Sequence, residues 1–136
     1  MKNLRIGVVG YSDKKFDITQ ARKYLVEAFD KIVRRYPDHT FSVVSGLTDL
    51  GIPSLAYREA TSRGWQTVGI ASEKAREFPL FPVDESIISG ENWGDESPLF
   101  LSSIDILLKI GGGKQSEREF NTFKGPRIEY SLPLQP

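Results

Sequence analysis

The run Gly111-Gly112-Gly113-Lys114-Gln115-Ser116-Glu117-Arg118-Glu119 brings three consecutive glycines, two cations, a hydroxyl and two carboxylates into one short stretch. Glycine lets backbone approach a ligand closely, and a helix opening here turns unpaired N–H groups and a partial positive charge toward an anion. Lys114 and Arg118 add charge suited to phosphate. The same residues also read as a plain strand-to-helix turn. Ser116 and Glu119 have capping-box spacing, in which the glutamate returns a hydrogen bond to the serine backbone. Two familiar phosphate binders are excluded by spacing. Lys114 lacks the upstream glycine of a Walker loop, and Gly7-Val8-Val9-Gly10 is not followed by the glycine of a dinucleotide fingerprint.

Other side chains suggest chemistry of their own. Asp95 and Glu96 are adjacent carboxylates that fit a general acid/base pair or a solvated loop. Trp93 offers a ring face for stacking on a base, or anchors its loop. Thr48 and Asp49 are candidate ligand contacts, and Asp49 equally fits a helix cap. His39, after Pro37-Asp38, reads as an exposed turn residue. With no cysteine and a single histidine, neither a thiolate site nor a histidine cluster is available, so no metal site is expected.

Elements of alternating type must position these groups. Leu4-Arg5-Ile6-Gly7-Val8-Val9-Gly10 predicts a buried first strand. Ala21, Leu25, Ala28, Phe29, Ile32 and Val33 recur at helical spacing over residues 18–36, and Pro37 stops the helix. Strands follow over 40–45 and 66–71, separated by a helix that carries Pro53 in its first turn together with Leu55, Ala56 and Ala60, and closes near Gly64. Beyond them the reading is a short helix at 72–78, a strand at 84–89, and a helix capped by Ser97 with Pro98 in its first turn. A central apolar strand at 104–110, a helix opening near Ser116 and an edge strand at 127–132 complete the chain.

Alternation of this kind predicts a mainly parallel sheet of five to six strands with helices on both faces, a three-layer doubly wound α/β domain spanning 1–136. Four glycine loops then share the carboxyl edge of that sheet, where such folds bind ligands. They are Gly10-Tyr11-Ser12-Asp13, Ser45-Gly46 with Thr48 and Asp49, Gly90 with Asn92, Trp93, Asp95 and Glu96, and Gly111-Gly112-Gly113 continuing through Lys114, Gln115, Ser116 and Glu119.

The chain has 136 residues, 39% hydrophobic and 26% charged, the composition of a globular domain. Its eighteen basic and eighteen acidic residues cancel, leaving no net field to draw it to nucleic acid or an anionic membrane. The first apolar segment is too short for a signal peptide or a membrane span, so a cytoplasmic location is expected.

Taken together, the pattern resembles the lysine-decarboxylase-like group of Rossmann proteins. That superfamily holds the Lonely Guy phosphoribohydrolases, the molybdenum-cofactor carrier proteins and the nucleotide-sensing SLOG domains. Val44-Ser45-Gly46 with Gly51 matches its second strand and glycine turn. The stretch from Asp105 to Glu119 matches its strand ending in PGGxGTxxE, with Gly111 at the proline, Gly112 and Gly113 at the glycines, Gln115 at the next glycine, and Ser116 and Glu119 at the threonine and glutamate.

The resemblance implies a nucleotide or sugar-phosphate ligand, with backbone and Ser116 around phosphate and Glu119 toward ribose hydroxyls. It also implies self-association as a homodimer, with the helices carrying Leu55 or Phe120 and Phe123 as candidate faces. Phosphoribohydrolases carry a catalytic arginine on the helix before this strand, whereas here Asp95-Glu96-Ser97-Pro98-Leu99-Phe100 has none. A binding, sensing or carrier module is therefore the leading expectation. The alternatives are a nucleoside 5'-monophosphate phosphoribohydrolase with Glu119 as its catalytic residue, and a structural subunit without ligand.

Overall fold

The computed structural model describes residues 1–13 and 15–136. The elements follow as β1 (Lys2–Gly10), α1 (Ile18–Arg35), β2 (His39–Ser45), α2 (Gly51–Ser62), β3 (Gln66–Ala71), β4 (Glu85–Ile88), α3 (Ser97–Ser102), β5 (Ile106–Ile110), α4 (Lys114–Thr122) and β6 (Arg127–Tyr130). A short 3-10 turn, Glu73–Glu77, stands where a helix was expected between β3 and β4.

The six strands pair in parallel, in the order β4-β3-β2-β1-β5-β6, and one isolated antiparallel bridge joins Thr48 to Leu80. The chain lays down β1 to β4 outward in one direction, then returns to place β5 on the other side of β1. The crevice between β1 and β5 is therefore the switch point, where the connections leaving neighbouring strands diverge.

Period-two alternation along β1 explains the layers. Leu4, Ile6 and Val8 face one side and pack with Leu25, Phe29 and Ile32 of α1 and with Ile52 and Ala56 of α2. Val9 faces the other side and joins Leu107, Ile104 and Phe100, with Phe120 and Phe123 packed against them. Gly7 lies on that second face because any side chain there would meet Ile104 and Phe100. The periodic stripe of α1 is buried as its spacing requires, and Asp17 caps the helix by accepting from the Gln20 N–H at 3.1 Å.

Several expectations are revised. The strand expected from Ile104 begins at Ile106. Ile104 instead packs under Gly7, and the Asp105 carboxylate accepts from the Arg5 N–H at 2.8 Å. β5 is an interior strand between β1 and β6, and its one charged residue, Lys109, is buried against the Glu129 carboxylate at 3.0 Å. His39 begins β2 rather than lying in a turn, with its ring edge-on to Tyr36. Leu55 is buried in the core, and Phe120 and Phe123 are half-buried against the α3–α4 layer. Among the described residues no helix is long and apolar enough to cross a membrane.

Candidate functional site

A cleft of about 490 Å³ opens over the switch point, at the carboxyl ends of β1, β2, β3 and β5. Its walls come from one of the four glycine loops in full, Gly10 to Asp13, and from parts of the other three.

Gly10, Tyr11, Ser12 and Asp13 form the β1–α1 side. Gly10 must lack a side chain, since one would collide with the Ile110 carbonyl and Ile52. The Tyr11 carbonyl accepts from the Ile52 N–H at 2.8 Å, which ties this loop to the start of α2. Ser45, Gly46 and Thr48 form the adjoining wall. The Ser45 hydroxyl is turned into the sheet and donates to the Val8 carbonyl at 2.6 Å. Tyr57 of α2, with no exposed surface, shares its one hydroxyl hydrogen between the Gly46 carbonyl at 2.6 Å and the Val68 carbonyl at 2.9 Å, tying the end of β2 to β3. Burial pushes the Tyr57 hydroxyl far above its ordinary pKa.

Gly112, Gly113, Lys114, Gln115, Ser116 and Glu119 close the other side. Gly111 and Gly112 take positive φ, 60° and 108°, which sharply reverses the chain between β5 and α4. The helix begins at Lys114, earlier than expected, with Gly113 as its N-cap and no side-chain hydrogen bond to its first turn. The first-turn N–H groups thus lack a protein cap at the edge of the cleft. Ser116 is buried within that turn and lines the cleft.

The capping box is not formed. Glu119 points across the cleft, accepting from the Ser97 hydroxyl at 2.6 Å and from the Gln115 amide at 3.3 Å. Ser97, expected as a cap, is the first residue of α3, and its hydroxyl is committed to Glu119. Burial raises the Glu119 pKa, with these two hydrogen bonds pulling the other way.

The carboxylate pair differs from the one expected. Asp95 accepts from the Glu91 and Asn92 N–H groups at 3.1 and 2.9 Å and so braces its own loop. Glu96 is buried on the cleft wall and accepts from the Gly94 N–H at 2.8 Å and from the Gln115 amide at 3.0 Å. The pair is therefore Glu96 with Glu119, joined through Gln115. Trp93 lies half-exposed on the same wall, its ring 6.0 Å from that of Phe78.

Five candidate residues stand outside the cleft lining. Asp49 is held by Ser54 and Arg58 at 2.6 and 3.4 Å and does not cap α2, whose N-cap is Leu50. Gly90 turns its loop at φ 86° against Asp95, and its carbonyl accepts from the Glu73 N–H. Asn92 and Asp95 exchange hydrogen bonds with each other. Gly111 packs under the Tyr11 ring, and its N–H donates to the Tyr130 carbonyl.

Sequence reasoning missed the apolar floor of Val9, Ile70, Ala71 and Phe100, which periodicity assigns only to the core. It also missed Leu134. This residue reaches the cleft because Leu132 is buried and the Gln135 N–H donates to the Lys15 carbonyl at 2.9 Å.

Fold and cleft define the class: a doubly wound, all-parallel α/β domain with an opening at its switch point. No family model matches the chain, and no curated protein matches it in sequence. Solved structures share the fold. The Moco carrier protein from Chlamydomonas reinhardtii aligns with a TM-score of 0.74 at 20% identity, over 97% of this chain and 79% of that one. The molybdenum cofactor binding protein from the phototrophic bacterium Rippkaea orientalis aligns at 0.73 and 20%, over 96% and 78%. TM1055, a structural genomics target, aligns at 0.66 and 23%, over 88% of this chain and 66% of its own. Molybdenum cofactor carriers, one of the groups the sequence resembles, are thus among the proteins that share this architecture.

Proposed function

We propose that this domain binds a small phosphorylated ligand in the switch-point cleft, as a carrier or sensing module. The observation that carries the reading is the start of α4. A glycine N-cap without side-chain acceptors leaves first-turn N–H groups for an anion, beside Ser116 and Lys114. The apolar floor and Trp93 suit a flat ring, and Glu96 and Glu119 suit donor groups on the rest of the ligand. The names of the carrier proteins that share the fold support a cofactor-like cargo, and a nucleotide is the finer form of the same reading.

Hydrolysis of a nucleoside 5'-monophosphate is the second reading, favoured by one observation: Glu119 is a buried carboxylate with a raised pKa on the cleft wall. Against it, α3 supplies no arginine, and Lys114 is the one basic residue lining the cleft among the described residues. Thermal melts with inorganic phosphate, AMP and GMP test the first reading, and a rise in Tm with ligand concentration is expected. No rise with any of the three would refute it. Assay of the same samples for released base tests the second, which requires release by the native chain and its loss in Glu119→Gln. The homodimer reading is measured by sedimentation velocity.

A further inference from the structure

The acid end of the cleft is already occupied by a side chain of the protein itself. Gln115 sits in the first turn of α4, and its single amide nitrogen lies 3.0 Å from Glu96 Oε2 and 3.3 Å from Glu119 Oε2. The two hydrogens on that nitrogen are therefore directed at two buried carboxylates from different elements. A carboxylate pair lining a cavity is an acceptor for adjacent donors, and the amide satisfies part of that demand from within.

We infer that Gln115 is a specificity-determining residue that competes with the ligand for Glu96 and Glu119. This inference rests on the phosphate-cleft reading, because it concerns the far end of a ligand whose phosphate lies at the start of α4. A ligand can reach both carboxylates only with two hydrogens to donate, on neighbouring atoms or on one amine nitrogen, and to do so it must displace the Gln115 amide. Two chemistries supply such a pair: a vicinal diol, or a ring edge that carries an exocyclic amine, with or without an N–H beside it. Ligands without paired donors leave the amide in place and are unaffected by it. The start of α4 has no side-chain hydrogen bond capping its first turn, so the phosphate end is not closed in this way.

The test compares the native chain with Gln115→Met, which keeps the bulk and removes the donors, and Gln115→Ala, which removes both. Binding is measured by calorimetry for AMP, which has a diol, and for 2',3'-dideoxy-GMP, which has the ring edge. The controls are the 2',3'-dideoxy 5'-monophosphate of unsubstituted purine, which has neither diol nor amine, and inorganic phosphate. The expected result is tighter binding by roughly ten-fold, about the worth of one hydrogen bond to a charged group, in both variants for AMP or for 2',3'-dideoxy-GMP. The probe that gains identifies the donor source, while both controls stay unchanged. A gain in Gln115→Ala alone would mean steric exclusion and overturn the competition. So would an equal gain for all four probes, or no gain for any probe that binds. Failure of all four probes to bind any of the three chains would overturn the phosphate-cleft reading and this inference with it. Binding of phosphate without the selective gain would overturn the inference alone.

Discussion

Removing one oxygen from Tyr57 tests how the cleft is held open. Its hydroxyl, without exposed surface, bridges the Gly46 carbonyl at the cleft rim and the Val68 carbonyl in β3, and its ring lies 5.0 Å from that of Phe81. Tyr57→Phe keeps the ring and removes the donor. Loss of a net hydrogen bond costs about 1 kcal/mol, and a buried carbonyl stripped of its donor costs about 1–3 kcal/mol. One hydrogen shared by two buried carbonyls therefore predicts a loss of ~2 kcal/mol, within the range for stripping a buried acceptor. With a urea slope of about 2 kcal/mol/M, the unfolding midpoint falls by about 1 M and the slope itself is unchanged. Because the Gly46 end of β2 is released, stabilisation by AMP should weaken as well. A midpoint within about 0.2 M of the native value would refute the bridging role.

Three further outcomes follow from the site. Gly112→Ala forces a side chain onto φ 108° and places its methyl 2.7 Å from Ser116 Cβ; the expected cost is about 1–3 kcal/mol, with loss of phosphate-induced stabilisation in thermal melts. Gly113→Ala meets open space, so its unfolding midpoint in urea should correspond to a change within about 0.5 kcal/mol. Burial gives the Glu119 carboxyl a folded pKa above its unfolded value, so the penalty for its ionised form is absent below the unfolded pKa and grows as pH rises through the folded one. Glu119→Gln should therefore gain stability relative to the native chain between pH 4 and pH 8, and a difference that stays constant across that range would contradict the raised pKa.

Layer order was legible because it depends on period. The α1 stripe, the β-branched run of β1 and the glycine that ends each of several strands announce alternating elements, and β3 stands where its residues predict. The gathering of glycine loops on one edge follows from that alternation alone. Side-chain hydrogen bonding was not legible, since a carboxylate chooses among partners that sequence distance does not show. Asp49 finds Ser54 and Arg58, and Glu119 finds Ser97. Adjacent Asp95 and Glu96 diverge because the loop between Gly90 and Gly94 uses the first as its brace and turns the second into the cleft. Leu134 carries no periodic signal, and its place is set by Leu132 and one backbone hydrogen bond.

The most direct measurement of the central claim is an amide NMR titration of the chain with AMP. Binding at the start of α4 predicts concentration-dependent shifts centred on Gly112, Gly113, Lys114, Gln115 and Ser116, extending to Gly10 and Gly46 across the cleft. Shifts absent from these residues at saturating AMP, inorganic phosphate and GMP, or confined to the outer face of α1, would contradict it.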